Sequence, residues 1–351
     1  MANEKEQHSV LMTGGKSLLA AQIIANIRKD EKLSCVCTRF DRKPPLDSAG
    51  GVYVQGSIGD MESLRTVAED SNASILIHMA GWQQYYFEIG AKKRKDFFDL
   101  NIRGTFSLME TLPKTRVRYL LYISNTATNT TSSVSGWSAS TCENILQHYA
   151  SIYNVKIIIL RMSYYIPHFD ITQFQGNFYK WGQKFWNDEG IHIDDAANLC
   201  IECIKYFAQD IRKKHGKNRK LIQTEPPLIL YGSSLYDSNH RNISETLNFF
   251  KEWQEAIDNR TQDEFFINTY GQELFDVTRK YQLELTHTPK LYDLRKTTKM
   301  LNGWKPRYSR LQILYDLLKY GHKGMQGPLW AGNPSKGSYL NDDGVYIERS
   351  T

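Results

Sequence analysis

Ser9-Val10-Leu11-Met12-Thr13-Gly14-Gly15-Lys16-Ser17 is the stretch whose reading decides the fold. Ser9-Val10-Leu11-Met12 is a short apolar run stopped by two glycines, the pattern of a buried strand entering a tight turn. Leu18, Leu19, Ile23, Ile24 and Ile27 follow at helical spacing, so a helix packs back on that strand. Residues 33–37 form a second apolar strand, with Asp41 just past its end. Strand, glycine turn, helix, strand and acid is the order of a mononucleotide-binding βαβ unit. Such a unit seats a pyrophosphate at the helix N-terminus and turns a carboxylate toward the ribose.

The turn departs from G-x-x-G-x-x-G, because the three positions hold Gly14, Ser17 and Ala20. Gly14 keeps the tight turn. The glycine that admits a pyrophosphate has become Ser17, and the one that lets helix and sheet pack closely has become Ala20. Lys16 and Ser17 add a cation and a hydroxyl at the phosphate position. Gly15-Lys16-Ser17 also matches the end of a phosphate-hydrolysing G-x-x-x-x-G-K-[ST] loop, but the first glycine of that motif would fall on Val10, inside the strand.

Working outward, 351 residues with 41% hydrophobic and 23% charged residues suit one large or two modest globular domains. The 21 Tyr and 7 Trp favour a substrate or partner cleft. A net charge of +6 is mild, and the runs 92–95 and 212–214 read as solvated helix faces without the interleaved aromatics of a nucleic-acid platform. No run reaches the roughly 18 apolar residues of a membrane span, and residues 1–6 lack a signal-peptide core. Neither nucleic acid nor membrane is expected as a partner. Five cysteines, an odd number, suit a reducing compartment, with the cytoplasm as the default. Cys200 and Cys203 lie in a helical pattern and read as buried small residues, with no metal site.

Further strands are expected at 51–55, 73–78, 117–124 and 155–160, and helices from Asp60, over 91–112 and over 143–153. This alternation predicts an α/β fold with a doubly wound parallel sheet. Beyond Arg161 it fails. Residues 191–195 lead into a helix through Tyr206, helical patterns return at 243–258, 271–283 and 309–320, and the Gly-rich end from 324 reads as a tail. The expected division is a nucleotide-binding domain over 1–165 with 191–235 interleaved, a smaller, mainly helical substrate or lid domain over 166–190 and 236–325, and a tail over 326–351.

Seven segments in this order resemble the extended short-chain dehydrogenase/reductase family of nucleotide-sugar epimerases, dehydratases and hydroxysteroid dehydrogenases, over about 310 residues. They are Thr13-Gly14-Gly15; Gly56-Ser57-Ile58-Gly59-Asp60 for G-D-x-x-D; Ile77-His78-Met79-Ala80-Gly81 for H-x-A-A; and Asn101-Ile102-Arg103-Gly104-Thr105 for N-x-x-G-T. Leu121-Tyr122-Ile123-Ser124-Asn125-Thr126 fits the fifth strand and its Ser-rich end, and Ile191-His192-Ile193-Asp194-Asp195-Ala196-Ala197 the h-V-x-D-x-A segment. The last runs from Tyr292-Asp293-Leu294-Arg295-Lys296 through Leu301-Asn302-Gly303-Trp304-Lys305-Pro306. The resemblance implies a Rossmann-type sheet and NAD or NADP as cofactor. It implies cofactor contacts at Gly14, Gly15, Lys16, Ser17, Asp41, Arg42, Ser57, Ile58, Met79, Ala80 and Asn101. Ser57 stands where the family has an adenine-contacting Asp. Asp41 suits the ribose hydroxyls of NAD, whereas Arg39 and Arg42 suit a 2′-phosphate.

The family's chemistry needs a Tyr and a Lys four residues later, which move a proton while the nicotinamide moves a hydride. With Glu143-Asn144-Ile145-Leu146 as anchor, the Tyr position holds Ser135 and the Lys position Ala139. A shift of two puts Trp137 and Thr141 there instead. Thr126 alone keeps the place of the substrate-orienting Ser/Thr, so Thr126 and Ser135 are the catalytic candidates that remain. The literal pairs Tyr292/Lys296 and Tyr315/Lys319 read as helix neighbours one turn apart. His78 reads as structural, and the segment holding His192, Asp194 and Asp195 as a domain junction. Trp82, Tyr85, Tyr86, Trp137, Tyr164 and Tyr165 fall on loops after strands, as cleft-lining candidates. One reading is a dinucleotide-binding, non-redox protein with a regulatory or partner-binding role, taking a small ligand in an inter-domain cleft, a protein partner or a second copy. The other is an atypical epimerase, dehydratase or dehydrogenase of a nucleotide sugar or sterol-like alcohol, with its acid–base group supplied from elsewhere, for example by bound substrate or by Tyr164.

Overall fold

A computed structural model describes residues 7–45, 47–84, 87, 90–129, 133–163, 165–166, 190–215, 225–234, 251–252, 254–272, 275–276, 279, 292–308, 338–340 and 346–348. The chain divides into two compact units: Met1–Met162 with Ala196–Gly232 and Lys296–Trp304, and Ser163–Asp195 with Ser233–Arg295 and Lys305–Thr351.

The first unit is a parallel sheet of β1 (Gln7–Thr13), β2 (Ser34–Asp41), β3 (Val52–Gln55), β4 (Ile75–His78), β5 (Tyr119–Asn125), β6 (Lys156–Met162) and β7 (Leu228–Gly232), in the order 3-2-1-4-5-6-7. Every neighbouring pair is parallel. The order reverses between β1 and β4, where an open α/β sheet keeps its ligand crevice. Strand residues alternate between two apolar layers. Leu11, Leu76, Leu120, Ile157 and Ile159 form one core with α2 (Met61–Asp70), α3 (Arg103–Thr111) and α4 (Val134–Ile152). On the other layer α1 (Leu18–Lys29) and α5 (Ile193–His215) meet through Asn26 Nδ2, which donates to Asn198 Oδ1 at 3.0 Å. Tyr119 packs on Phe207 there, and Cys200 and Cys203 are buried among apolar neighbours, where burial pushes both thiols up. All five cysteines are free.

Several boundaries differ from the sequence reading. β2 continues to Asp41, which pairs with Gln55 and is the last residue of the strand. The stretch expected as one helix over 91–112 is Arg94–Phe97, a π-turn over Phe98–Ile102, α3 and a 3₁₀ turn at Leu112–Lys114. α4 starts nine residues before 143, capped by the Ser133 hydroxyl, which accepts from Gly136 N at 2.8 Å. β7 is a seventh strand, and α5 runs nine residues past Tyr206. Lys296–Trp304 falls in the first unit although it was expected in the 236–325 region, because the Thr297 hydroxyl donates to Tyr231 O at 2.8 Å and accepts from Tyr231 N at 3.1 Å.

In the second unit, Tyr165–Ile166 pairs with Ile191–His192, and α6 (Gln262–Tyr270) occupies a stretch not expected to be helical. Tyr292 precedes the short helix Arg295–Met300, so Tyr292 and Lys296 are not neighbours on one helix. Ser338–Leu340 and Tyr346–Glu348 form an antiparallel pair inside the expected tail. The patterns at 243–250 and 309–320, Tyr315, Lys319, Tyr85, Tyr86 and Tyr164 lie outside the described residues. Among the described residues no helix is long and apolar enough to cross a membrane.

Candidate dinucleotide site

The site is built at the carboxyl ends of β1, β2, β4 and β5. Gly14 turns the chain with φ +72°, and a Cβ there would meet Ala80 N at 2.8 Å, so the first turn glycine is required both by its backbone and by its neighbour. Gly15 lies equally close to β2, where a Cβ would meet the Arg39 Cα at 2.8 Å. Ser17 is the N-cap of α1, and its hydroxyl accepts from Ala20 N at 3.2 Å. Its oxygen is therefore spent on the helix, while other first-turn N–H groups keep no intrahelical acceptor.

Asp41 and Arg39 reach the turn from one face of β2. Asp41 Oδ2 accepts from Lys16 N at 3.1 Å, and Oδ1 from Lys43 N at 3.3 Å. Arg39 is fully buried, contrary to its reading as a cation open to a 2′-phosphate. Its Nε donates to Gly15 O at 2.6 Å and its two terminal nitrogens to the Asp47 carboxylate, each at 2.7 Å. Arg42 is exposed, with its guanidinium carbon 5.8 Å from the centre of the Trp82 ring, and Lys92 Nζ is 4.3 Å from that centre.

After β3, the Ser57 hydroxyl accepts from Gly59 N at 3.3 Å, and Ile58 is buried against Gly104. Met79 and Ala80 are half-buried at the end of β4. Asn101 sits in the π-turn, a common placement for functional side chains. Its Oδ1 accepts from Trp82 N at 2.7 Å, and its Nδ2 donates to Trp82 O at 3.0 Å and Ser138 Oγ at 3.1 Å. Asn101 thus fixes the loop after β4. His78 is fully buried between the Thr13 and Thr105 hydroxyls, at 2.6 and 3.1 Å, and burial pulls its pKa down to about 4. It is a structural connector.

Ser135 and Ala139 lie in the first turns of α4, both buried. Asn125 Nδ2 donates to Ser135 Oγ at 3.0 Å, Ser135 N donates to Gln84 Oε1 at 3.1 Å, and Ser138 Oγ donates to Ser135 O at 3.0 Å. Every partner is neutral. Thr126 is half-buried at the start of the 3₁₀ turn after β5. Beneath this cluster Glu143 is buried, held at 2.6 Å by Arg161 and by the Ser124 hydroxyl, and Arg161 also donates to the Tyr231 hydroxyl at 2.8 Å. Trp137 is exposed on α4 and not on a loop.

In the second unit the Asp195 carboxylate is buried and accepts from the backbone N–H groups of Arg307 and Tyr308 at 2.9 and 3.0 Å. Burial raises its pKa against those bonds and the Arg307 charge. Asp194 binds the same guanidinium, and the His192 ring lies 4.1 Å from that of Tyr308. Among the described residues no three His, Cys, Asp or Glu side chains form a metal-holding group.

Fold and turn are those of a Rossmann-type α/β sheet. Residues 10–179 match the model of the NAD dependent epimerase/dehydratase family. The fold is shared with a UDP-galactose 4-epimerase at 13% identity and TM-score 0.57, over 92% of this chain and 100% of that one. It is shared with UDP-glucuronic acid 4-epimerase from Bacillus cereus in complex with NAD at 14% identity and TM-score 0.52, over 89% and 98%. UDP-N-acetylglucosamine 4-epimerase from Bacillus cereus matches at 16% identity and TM-score 0.55, over 91% and 100%. Comparison with curated protein sequences finds no match.

Proposed function

We propose that this protein binds a nicotinamide dinucleotide, NAD in preference to NADP, and uses it outside the redox chemistry of its family, in a regulatory or partner-binding role. The observation that carries the reading is the neutral setting of Ser135 and Ala139. An alkanol whose hydroxyl accepts from an amide and whose other partners are uncharged has no base to take its proton. When bound, the nicotinamide supplies hydride chemistry, but no group at these two positions moves the matching proton.

The turn supports the dinucleotide part. The glycines at 14 and 15, the N-terminus of α1 and the Asp41 carboxylate are the elements that hold pyrophosphate and ribose. Gly14, Gly15, Lys16, Ser17, Asp41, Ser57, Ile58, Met79, Ala80 and Asn101 are the residues around it, with Asn101 acting through Trp82. NAD is favoured because Arg39 is consumed by Asp47, which leaves Arg42 alone to face a 2′-phosphate. Five free thiols suit a cytoplasmic setting.

Calorimetry with NAD and NADP, followed by absorbance assays of the loaded protein against nucleotide sugars and alcohols, tests both parts. The expected outcome is NAD binding without a change in nicotinamide absorbance and without sugar interconversion. Turnover of any of these substrates at an enzyme-like rate overturns the non-redox part. Absence of binding to both dinucleotides overturns the rest.

A further inference from the structure

The dinucleotide turn of this chain lacks two of its three glycines, yet one peptide plane in it is gripped at both ends from β2. The Gly15 carbonyl accepts from Arg39 Nε at 2.6 Å, and the N–H of the same peptide, that of Lys16, donates to Asp41 Oδ2 at 3.1 Å. Arg39 and Asp41 are two residues apart and so project from one face of the strand. Arg39 has no freedom of its own. Its other nitrogens are fixed by both oxygens of Asp47 at 2.7 Å, and one of them reaches Gly50 O at 3.2 Å. The segment after β2 closes round the guanidinium, with the Arg39 stem 3.3 Å from where a Gly51 Cβ would stand. The Arg39 side chain is fully buried and that of Asp47 is 12% exposed.

We infer that Arg39 is a positioning residue for the anion-binding turn, and that Asp47 is the anchor through which the segment between β2 and β3 sets the turn's shape. A buried ion pair of this kind adds little net stability over apolar side chains, but it selects one arrangement over others. Here the arrangement selected is the orientation of the Gly15–Lys16 peptide, with its carbonyl on Arg39 and its N–H on Asp41, which sets the path of the turn into α1. In the usual turn a glycine at the second position leaves room for the ligand. With Ser17 there, the shape has to be imposed from outside, and Arg39 is the group placed to impose it. The inference rests on the proposed dinucleotide site for its purpose and on Arg39 geometry for its substance.

The test is Asp47→Asn, which keeps the size of the anchor and removes its charge, studied in the full-length chain. Hydrogen exchange of the Lys16 amide is measured without any ligand, and is expected to quicken by about tenfold or more while core amides of β1 and β5 keep their protection. Unchanged Lys16 exchange overturns the inference, whether or not the protein binds NAD. Calorimetry with NAD adds a cycle with Ser17→Gly, a substitution that costs a helix cap little. Asp47→Asn alone is expected to weaken NAD by about tenfold, and by clearly less in the Ser17→Gly background, because the restored glycine makes the turn less dependent on its brace. Equal losses in both backgrounds show a general structural effect and also overturn the positioning role. If Asp47→Asn fails to fold, Arg39→Lys, which keeps the charge and loses the Nε contact to Gly15, takes its place with the same expected and opposing results.

Discussion

The Ser135 hydroxyl lies 3.0 Å from Asn125 Nδ2 and accepts its hydrogen bond, at the position where the family resemblance puts a catalytic Tyr. A working acid–base group contributes about 10²–10⁴-fold to rate, and a serine in this setting contributes none of it. In Ser135→Ala, dinucleotide affinity and any turnover the protein shows are expected to stay the same. Stability should fall by about 1 kcal/mol, the worth of one neutral hydrogen bond, because Asn125 Nδ2 retains only the Ser135 carbonyl at 3.4 Å. Thermal unfolding beside a turnover assay separates the two effects. A hundredfold loss of turnover with stability unchanged would show Ser135 to be catalytic.

Writing the missing pair back, as Ser135→Tyr with Ala139→Lys, should not produce a dehydrogenase. Both positions are buried, at 8% and 5% exposure, so a phenol and an ammonium would have to displace the neighbours packed on them. Overpacking costs about 1–3 kcal/mol, and a buried unpaired amine adds more. The double variant is expected to melt well below the parent and to leave nicotinamide absorbance unchanged. A stable double variant with alcohol-dependent absorbance change would show that the pocket for the pair survives.

Much of this arrangement is legible in the sequence, because apolar runs and glycines report burial and backbone shape directly. Gly14 and the alternation of strands and helices point to the sheet, and the β1–β6 cores lie within a few residues of their expected places. What is illegible has a common cause in tertiary context. Val134-Ser135-Gly136-Trp137-Ser138 has weak helical preference and becomes α4 because the helix buries Val134, Cys142 and Leu146. β7 is a five-residue run behind Pro226-Pro227, too short for periodicity to separate from a loop. Arg39 reads as solvent-facing by charge, and only its distant partner Asp47 makes it a buried residue. The hydroxyl of Ser17 reads as a group at the phosphate position, and in the fold it caps α1.

The Glu143–Arg161 pair should be worth more intact than halved. Glu143 has 3% of its side chain exposed and Arg161 16%, and the carboxylate raises the guanidinium above its already high basicity. Glu143→Ala leaves a half-buried cation with the Tyr231 hydroxyl and frees the Ser124 hydroxyl, at an expected cost of roughly 2–4 kcal/mol, below that of a fully buried pair. Glu143→Leu with Arg161→Met removes both charges and is expected to recover most of that loss. Denaturant titration of the single and double variants measures the difference. Additive losses would mean that the pair is not the unit described here.

His78 should give the protein an acid-side weakness. The Thr105 hydroxyl donates to Asn101 O at 2.6 Å, so toward His78 Nε2 it accepts, which leaves Nδ1 to accept from the Thr13 hydroxyl. The neutral ring satisfies both threonines, whereas a second ring proton would force the Thr13 hydroxyl to turn away. Burial accordingly lowers the pKa from 6.5 to about 4. The unfolded chain therefore binds a proton that the folded chain refuses between those values. Stability from His78 is complete above pH 6.5 and is lost as pH falls toward 4, by on the order of 3 kcal/mol in total. Asp195, raised by burial, has the opposite sign, since it favours the folded state as acid increases. The comparison with His78→Gln removes that background. The variant is expected to be less stable at neutral pH, with a stability-against-pH slope shallower than the parent's by up to about 1.4 kcal/mol per pH unit between 6.5 and 4. Chemical denaturation at half-unit steps of pH reads the slope directly, and parallel curves for parent and variant would place the acid-side loss elsewhere.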